Sequence, residues 1–221
     1  MPVIESPSDS RVQLQVDPTF GAARVSLRPV DVKSHGGAAG GHYRGAWSTG
    51  LTTGIAAGGA LFSLRWSDPE RVLLVHRIRV AAVVDTPFTA AQEVSVDLVR
   101  VRPFSVADTG GTPVVPGEAL RAASAMRPFA VGDLRMATTA ALTPGTGTEE
   151  EHPLEALVLG IGNAIGSAAA GILTEVLPGA GYPIELAGGE GLRLRNRFAQ
   201  GAAGVVRFTF AFEFVAVPLA F

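Results

Sequence analysis

The sequence has no cysteine among its 221 residues, which excludes disulfides, thiolate zinc sites, iron–sulfur clusters and cysteine catalysis together. Lysine is nearly absent as well: Lys33 stands alone, and every other basic residue is arginine. Charged residues make up 17% of the chain and balance to a net −2, so no long-range field draws it to nucleic acid or to an anionic membrane. Two tryptophans and two tyrosines (Trp47, Trp66, Tyr43, Tyr182) are a small stock for binding sugars or stacking on bases. The first ten residues have neither a basic nor an apolar block, so no secretory signal is expected there. The stretch from Leu154 to Leu173 comes nearest to a membrane span, and it carries the small-residue spacing Gly162-x-x-x-Gly166. Glu155, Asn163 and its many small residues argue instead for buried strands joined by a turn.

What the sequence does have is alternation. Val12, Leu14 and Val16 share one strand face, and Phe62, Leu64 and Trp66 share another. Arg71 to Val84 is a long β-branched run that reads as a central strand. From Glu93 to Arg102 the apolar positions are Val94, Val96 and Leu98, then Val99 and Val101, a change of phase that predicts a β-bulge. Shorter strands are expected at 134–140, 154–159, 171–177, 183–186 and 191–197. The last strand, Val205 to Val217, places Phe208, Phe210, Phe212 and Phe214 on one face. Four phenyl rings, each burying about 150–250 Å² when covered, cannot be left in water. That strand is expected inside a sandwich or in a subunit interface.

Turns rich in Gly, Pro, Asp and Thr punctuate these runs, and only Gly117 to Met126 offers a short helix. The fold predicted is all-β: an antiparallel two-sheet β-sandwich over residues 41–221, its strand count suiting a jelly roll. Residues 1–40, ending in the Gly36-Gly-Ala-Ala-Gly-Gly41 tract, read as an N-terminal extended arm with a Gly-rich hinge.

No chemistry-bearing constellation emerges. Gly160-x-Gly162-x-x-x-Gly166 follows an apolar strand, but Ile165 occupies the third glycine's place in a dinucleotide fingerprint and no βαβ unit follows. His35, His42, His76 and His152 lack metal-ligand spacing, and His76 reads as a half-buried packing residue. No Gly-x-Ser-x-Gly occurs. Catalytic, cofactor-binding and metal residues are therefore expected to be none. The candidates that remain are for contact. Arg193, Arg195 and Arg197 share one strand face, as do Arg77 with Arg79 and Arg100 with Arg102, and guanidinium forks of this kind grip acidic partners. The bland alternative is a solvated sheet face. Phe208, Phe210, Phe212 and Phe214 complete the set of interface candidates.

Several strings resemble a group of tailed-bacteriophage virion proteins: Gly41-His-Tyr-Arg44, Leu61-Phe-Ser-Leu-Arg-Trp-Ser67, Pro87-Phe-Thr-Ala90 and Val106-Ala-Asp-Thr-Gly-Gly-Thr112. Asp133-Leu-Arg-Met-Ala-Thr-Thr-Ala-Ala-Leu142 and Tyr182-Pro-Ile-Glu-Leu-Ala-Gly-Gly-Glu-Gly-Leu192 continue the series in order, so that it covers residues 41–217. The group's basic-Arg-Thr-Ser-Met string is replaced by Leu120-Arg-Ala-Ala-Ser-Ala-Met126. The resemblance implies a component of a phage particle, made in the bacterial host cytoplasm and free of enzymatic activity and cofactors. The expected role is a capsid-surface decoration or cement protein that grips the major capsid protein through its arm and sheet edges. Self-association as a homotrimer is expected, with no nucleic acid or membrane as partner. The alternatives are a tail or head-fibre module that binds host glycans, and a jelly-roll enzyme acting on polysaccharide.

Overall fold

The computed structural model describes residues 14–16, 23–25, 42–114, 117–118, 133–161, 168–175, 183–201 and 203–218. The chain divides into two units, Met1–Ala38 and Ala39–Phe221. In the first, β1 (Leu14–Val16) and β2 (Ala23–Val25) form an antiparallel pair with Leu14 opposite Val25.

The second unit is a β-sandwich, and its described residues contain no helix. Its strands are β3 (His42–Ser48), β4 (Ala60–Trp66), β5 (Arg71–Thr86), β6 (Glu93–Phe104), β7 (Thr112–Pro113), β8 (Gly117–Glu118), β9 (Leu134–Met136), β10 (Gly147–Glu149), β11 (Glu155–Ile161), β12 (Ala168–Glu175), β13 (Ile184–Leu186), β14 (Glu190–Asn196) and β15 (Val205–Pro218). Sheet I has the order β10-β6-β14-β4-β9-β7, with β11 also on β6; sheet II has the order β12-β5-β15-β3-β8, with β13 also on β5. Every pairing is antiparallel. Gly117 and Glu118, expected in a short helix, form β8; residues 119–126 of that expectation lie outside the described residues.

Period-two alternation decides which side chains fill the space between the sheets. Phe208, Phe210, Phe212 and Phe214 all point inward from β15, which lies between β3 and β5. Phe62 of β4 meets them from the opposite sheet, stacked on Phe212 with ring centroids 4.3 Å apart and tilted against Phe210 at 5.9 Å. Trp47 of β3 packs at 6.1 Å from Phe62 and 6.2 Å from Phe212. Leu192 and Leu194 of β14, Leu134 and Met136 of β9, and Val94, Val96 and Leu98 of β6 complete the wall. The phenylalanine ladder is thus covered by the opposing sheet of the same chain.

In β5 the inward positions shift from Leu73 and Val75 to Ile78, Val80, Ala82 and Val84. Glu213 of β15 lies opposite Arg77 and Phe214 opposite Val75, so half-buried His76 is the extra residue of a bulge. The bulge expected in β6 at the phase change between Leu98 and Val99 is absent; the strand's register shift comes later, between Val101 and Phe104, against β10. Its register with β14 runs unbroken from Val96 opposite Asn196 to Val101 opposite Gly191. The phase change there has another cause: Val99, Val101 and Phe104 point away from the sandwich interior and are buried under a second layer on the outer face of sheet I. Residues 105–111 and 143–146 belong to that layer, tied together by paired backbone bonds between Thr109 and Thr143 (2.9 Å each way). Gly191 leaves room for the Phe104 ring, since a Cβ there would come within 2.5 Å of it, and Gly147 leaves room for Val101, which its Cβ would meet at 2.6 Å.

Truncating Phe212 to alanine removes the ring that touches both Phe62 and Trp47. The expected loss is about 3–5 kcal/mol of unfolding free energy, read from urea denaturation monitored by tryptophan fluorescence.

Candidate interaction surface

The arginine stripe of β14 lies on the outer face of sheet I, because Leu192, Leu194 and Asn196 take the inward positions. It does not present three free forks. The Arg193 side chain is only 4% exposed and is committed to the chain's own carboxylates. Its Nε donates to Asp108 Oδ2 (2.8 Å), Nη2 to Asp108 Oδ1 (2.5 Å) and Nη1 to Glu149 Oε1 (2.9 Å). The guanidinium also lies over the Phe104 ring, 4.9 Å from its centroid. Burial opposes the charge on Arg193, but the hydrogen bonds and charges of Asp108 and Glu149 outweigh it and raise the pKa above the ordinary arginine value. Asp108 also accepts the Gly145 backbone N–H (2.8 Å), so one carboxylate joins β14 to both segments of the outer layer.

Arg195 Nη1 donates to Glu149 Oε2 (2.5 Å), and its Nη2 lies 3.6 Å from Asp97 Oδ2. Arg197 lies 3.8 Å from Asp97 and is 42% exposed, the most open of the three. The other stripes are likewise engaged within the chain. Arg77 faces Glu213 at 4.0 Å, Arg102 faces Glu150 at 2.7 Å, and Arg100 Nη2 donates to the Glu185 carbonyl at 3.2 Å. As an interface for an acidic partner the β14 stripe is corrected accordingly: Arg193 is a structural bolt, and Arg195 shares its acid. Phe208, Phe210, Phe212 and Phe214 are no interface either in this chain, each being 2% exposed or less.

A cleft of about 500 Å³ opens between Val72, Arg100, Pro183, Glu185, Ala187 and Glu190. Its polar groups largely serve the loop: Glu190 Oε2 accepts the Ala187 N–H at 3.0 Å, and Arg100 holds the Glu185 carbonyl. Among the described residues no three His, Cys, Asp or Glu side chains stand where they could hold a metal ion, and no helix is long and apolar enough to cross a membrane.

The surface feature that the arginine stripes do not explain is β11. It pairs with β6 through Leu98 to Glu93, and among the described residues no strand pairs with its other edge. Leu157 and Leu159 turn toward the core, yet the residues on the outer face are also apolar: Leu154 is 36% exposed, Ala156 is exposed and Val158 is 58% exposed. No charged residue occurs from 156 to 174, which takes in nearly all of β11 and β12. That run is the segment that reads in the sequence as membrane-like; its lack of charge is the signal, and the sheet edge is where the fold puts it.

No protein-family model matches the sequence, and no curated protein matches it. Among solved structures the chain was compared with one of the infectious bursal disease virus Gx strain, at 14% identity and a TM-score of 0.13 over 99% of this chain and 51% of that one. The chain spans about half the length of that protein, and a superposition of this quality carries no argument about fold or role.

Replacing Arg193 with methionine leaves Asp108 buried without its cation, so stability is expected to fall by about 3–5 kcal/mol. The same change at Arg197, itself 42% exposed and 3.8 Å from an Asp97 that Arg195 also approaches, is expected to cost about 1 kcal/mol or less. Urea unfolding of the two variants side by side checks the contrast.

Proposed function

We propose that this chain is a non-enzymatic structural protein of a tailed-phage particle, a capsid-surface decoration or cement protein that binds the major capsid protein. The observation that carries the reading is the pairing of an apolar-cored, ion-bolted sandwich with an apolar edge strand, β11, whose outer side is hydrogen-bonded to no other strand among the described residues. Such an edge suits a subunit that spends its working life covered by neighbours. The sequence resemblance over residues 41–217 supplies the particle. Self-association belongs to the proposal, with the trimer as its expected order, and neither nucleic acid nor membrane is a partner in it.

The strand order also supports a jelly roll. Taking the eight long strands in chain order, β3 pairs with β15, β4 with β14, β5 with β12 and β6 with β11. First meets last, second meets second-last, and so on, which is what an eight-strand ribbon gives when it is doubled back and wrapped into two sheets. The glycan-binding alternative is weaker on the described residues. Trp66 is buried with its Nε1 donating to the Arg71 carbonyl (2.7 Å), and Trp47 packs on the core, so neither indole is free to stack on a sugar.

Expanded capsids built from the major capsid protein of the same genome provide the test. The full chain is expected to bind them in a fixed, saturable ratio and to raise their resistance to heat, and removal of residues 1–40 is expected to lower occupancy. Absence of saturable binding overturns the decoration role, and undiminished occupancy by the truncated chain overturns the part given to the arm.

A further inference from the structure

We infer that the cleft between β6, β14 and the residues around β13 binds a free α-amino acid. Arg100 takes its carboxylate, Glu190 its ammonium, and Val72, Pro183 and Ala187 its apolar side chain. The site is separate from the capsid-binding proposal, and its test involves no capsid.

At this end of the sandwich the inward face of sheet I stops being core. Leu98 and Leu192 are buried, but two residues further along their strands the same face carries Arg100 and Glu190. Sheet II contributes Val72 of β5, and Pro183 and Ala187 flank its strand β13. The cleft has about 500 Å³, inside the range of about 300–1,000 Å³ usual for small-molecule sites. Arg100 lies opposite Leu192, so Glu190 is its diagonal cross-strand neighbour. Long side chains at such positions reach one another. One wall of the cleft therefore carries a positive and a negative charge side by side.

Neither charge is neutralised by the described residues. Arg44, Arg65, Arg102, Arg193, Arg195 and Arg197 each lie within 3.8 Å of a carboxylate. Among the described residues Arg100 has no such partner: its Nη2 donates to the Glu185 carbonyl (3.2 Å), and its Nε is buried without an acceptor. Glu190 Oε2 accepts the Ala187 N–H (3.0 Å), and among the described residues no cation pairs with it. Each side chain is thus tethered to the backbone with its charge left over. A lone anion entering here meets Glu190, and a lone cation meets Arg100, so a ligand bearing both signs is selected. An α-amino acid carries its carboxylate and ammonium on one carbon, which suits head groups that issue from neighbouring positions on one wall. A guanidinium grips a carboxylate through parallel N–H bonds. An aliphatic side chain then has Val72, Pro183 and Ala187 to lie against.

Titration of the isotope-labelled full chain with leucine, followed by NMR, is expected to move the Arg100 Nε–H and the Ala187 and Glu190 amides in a saturable way. N-acetyl-leucine lacks the positive charge and leucinamide the negative one. Each is expected to bind about tenfold more weakly or worse, the loss that accompanies one charged hydrogen bond. Arg100→Met and Glu190→Gln are expected to weaken leucine by a similar factor. Ala187→Trp, at an exposed position, fills the cleft while leaving both charges in place. It is expected to abolish binding with circular dichroism unchanged, and it serves as the second variant should a charge substitution loosen the loop. The inference is overturned by the lack of any saturable shift up to about 10 mM leucine, by a blocked derivative that binds as tightly as leucine, or by wild-type affinity in Ala187→Trp.

Discussion

The packing of Phe62 against the phenylalanine ladder of β15 is the contact on which the rest of this sandwich depends. β15 is interior to its sheet, hydrogen-bonded to β3 on one side and β5 on the other, so its inward face is the middle of the core. Phe62 is likewise on an interior strand, β4, between β14 and β9. The stacked rings therefore join the centres of two sheets whose strands come from distant parts of the chain, and burying such rings supplies much of what offsets the ordering of so many non-local pairs. The chain reaches this arrangement only when its last long strand takes its place, because β3 and β5 have no ladder with each other until β15 fills the gap.

The outer face of sheet I shows how the same strands serve two environments. β14 sends Leu192 and Leu194 inward and Arg193 and Arg195 outward, and β6 sends Val96 and Leu98 inward while Val99 and Val101 point out. An outward valine or a buried guanidinium is costly unless something covers and neutralises it. The 105–111 segment and strand β10 do both: Gly147 packs on Val101 and Phe104, and Asp108 and Glu149 close on Arg193. Once Arg193 is enclosed, the ion pair becomes a condition of the layer's position, since losing either partner strands a charge out of water.

Much of the core could be read from the sequence because strand period is a local property. The inward sets Phe62-Leu64-Trp66, Val94-Val96-Leu98 and Phe208 to Phe214 follow from alternation alone. What alternation cannot show is whether the other face is also covered. The phase change after Leu98 reads as a bulge for that reason, while the bulge at His76 hides inside a continuous β-branched run where both parities are apolar. The arginine stripe poses the same difficulty. Arg193, Arg195 and Arg197 are identical in type and spacing, yet exposure rises along the stripe from 4% to 22% to 42%, because Asp108 and Glu149, 85 and 44 residues from Arg193 in the chain, close over one end of it. Nothing local in the sequence carries that distance.

The uncharged run from 156 to 174 is where sequence and fold inform each other most. As a sequence it fits a membrane span or two buried strands, and composition alone does not separate them. In the fold it becomes β11 at the edge of one sheet and β12 at the edge of the other. A strand in mid-sheet needs apolar residues on the face or faces that are covered; an edge strand of a lone monomer needs charge or proline somewhere along it. β11 meets the first requirement through Leu157 and Leu159 and the second only at its first residue, Glu155, with Val158 more than half exposed on the other face. Core packing accounts for Leu157 and Leu159 but makes no demand on Leu154, Ala156 and Val158, which are exposed among the described residues. The edge strand β12 shares this bareness, with no charge before Glu175, so the uncharged run lines the edges of both sheets at the same end of the sandwich.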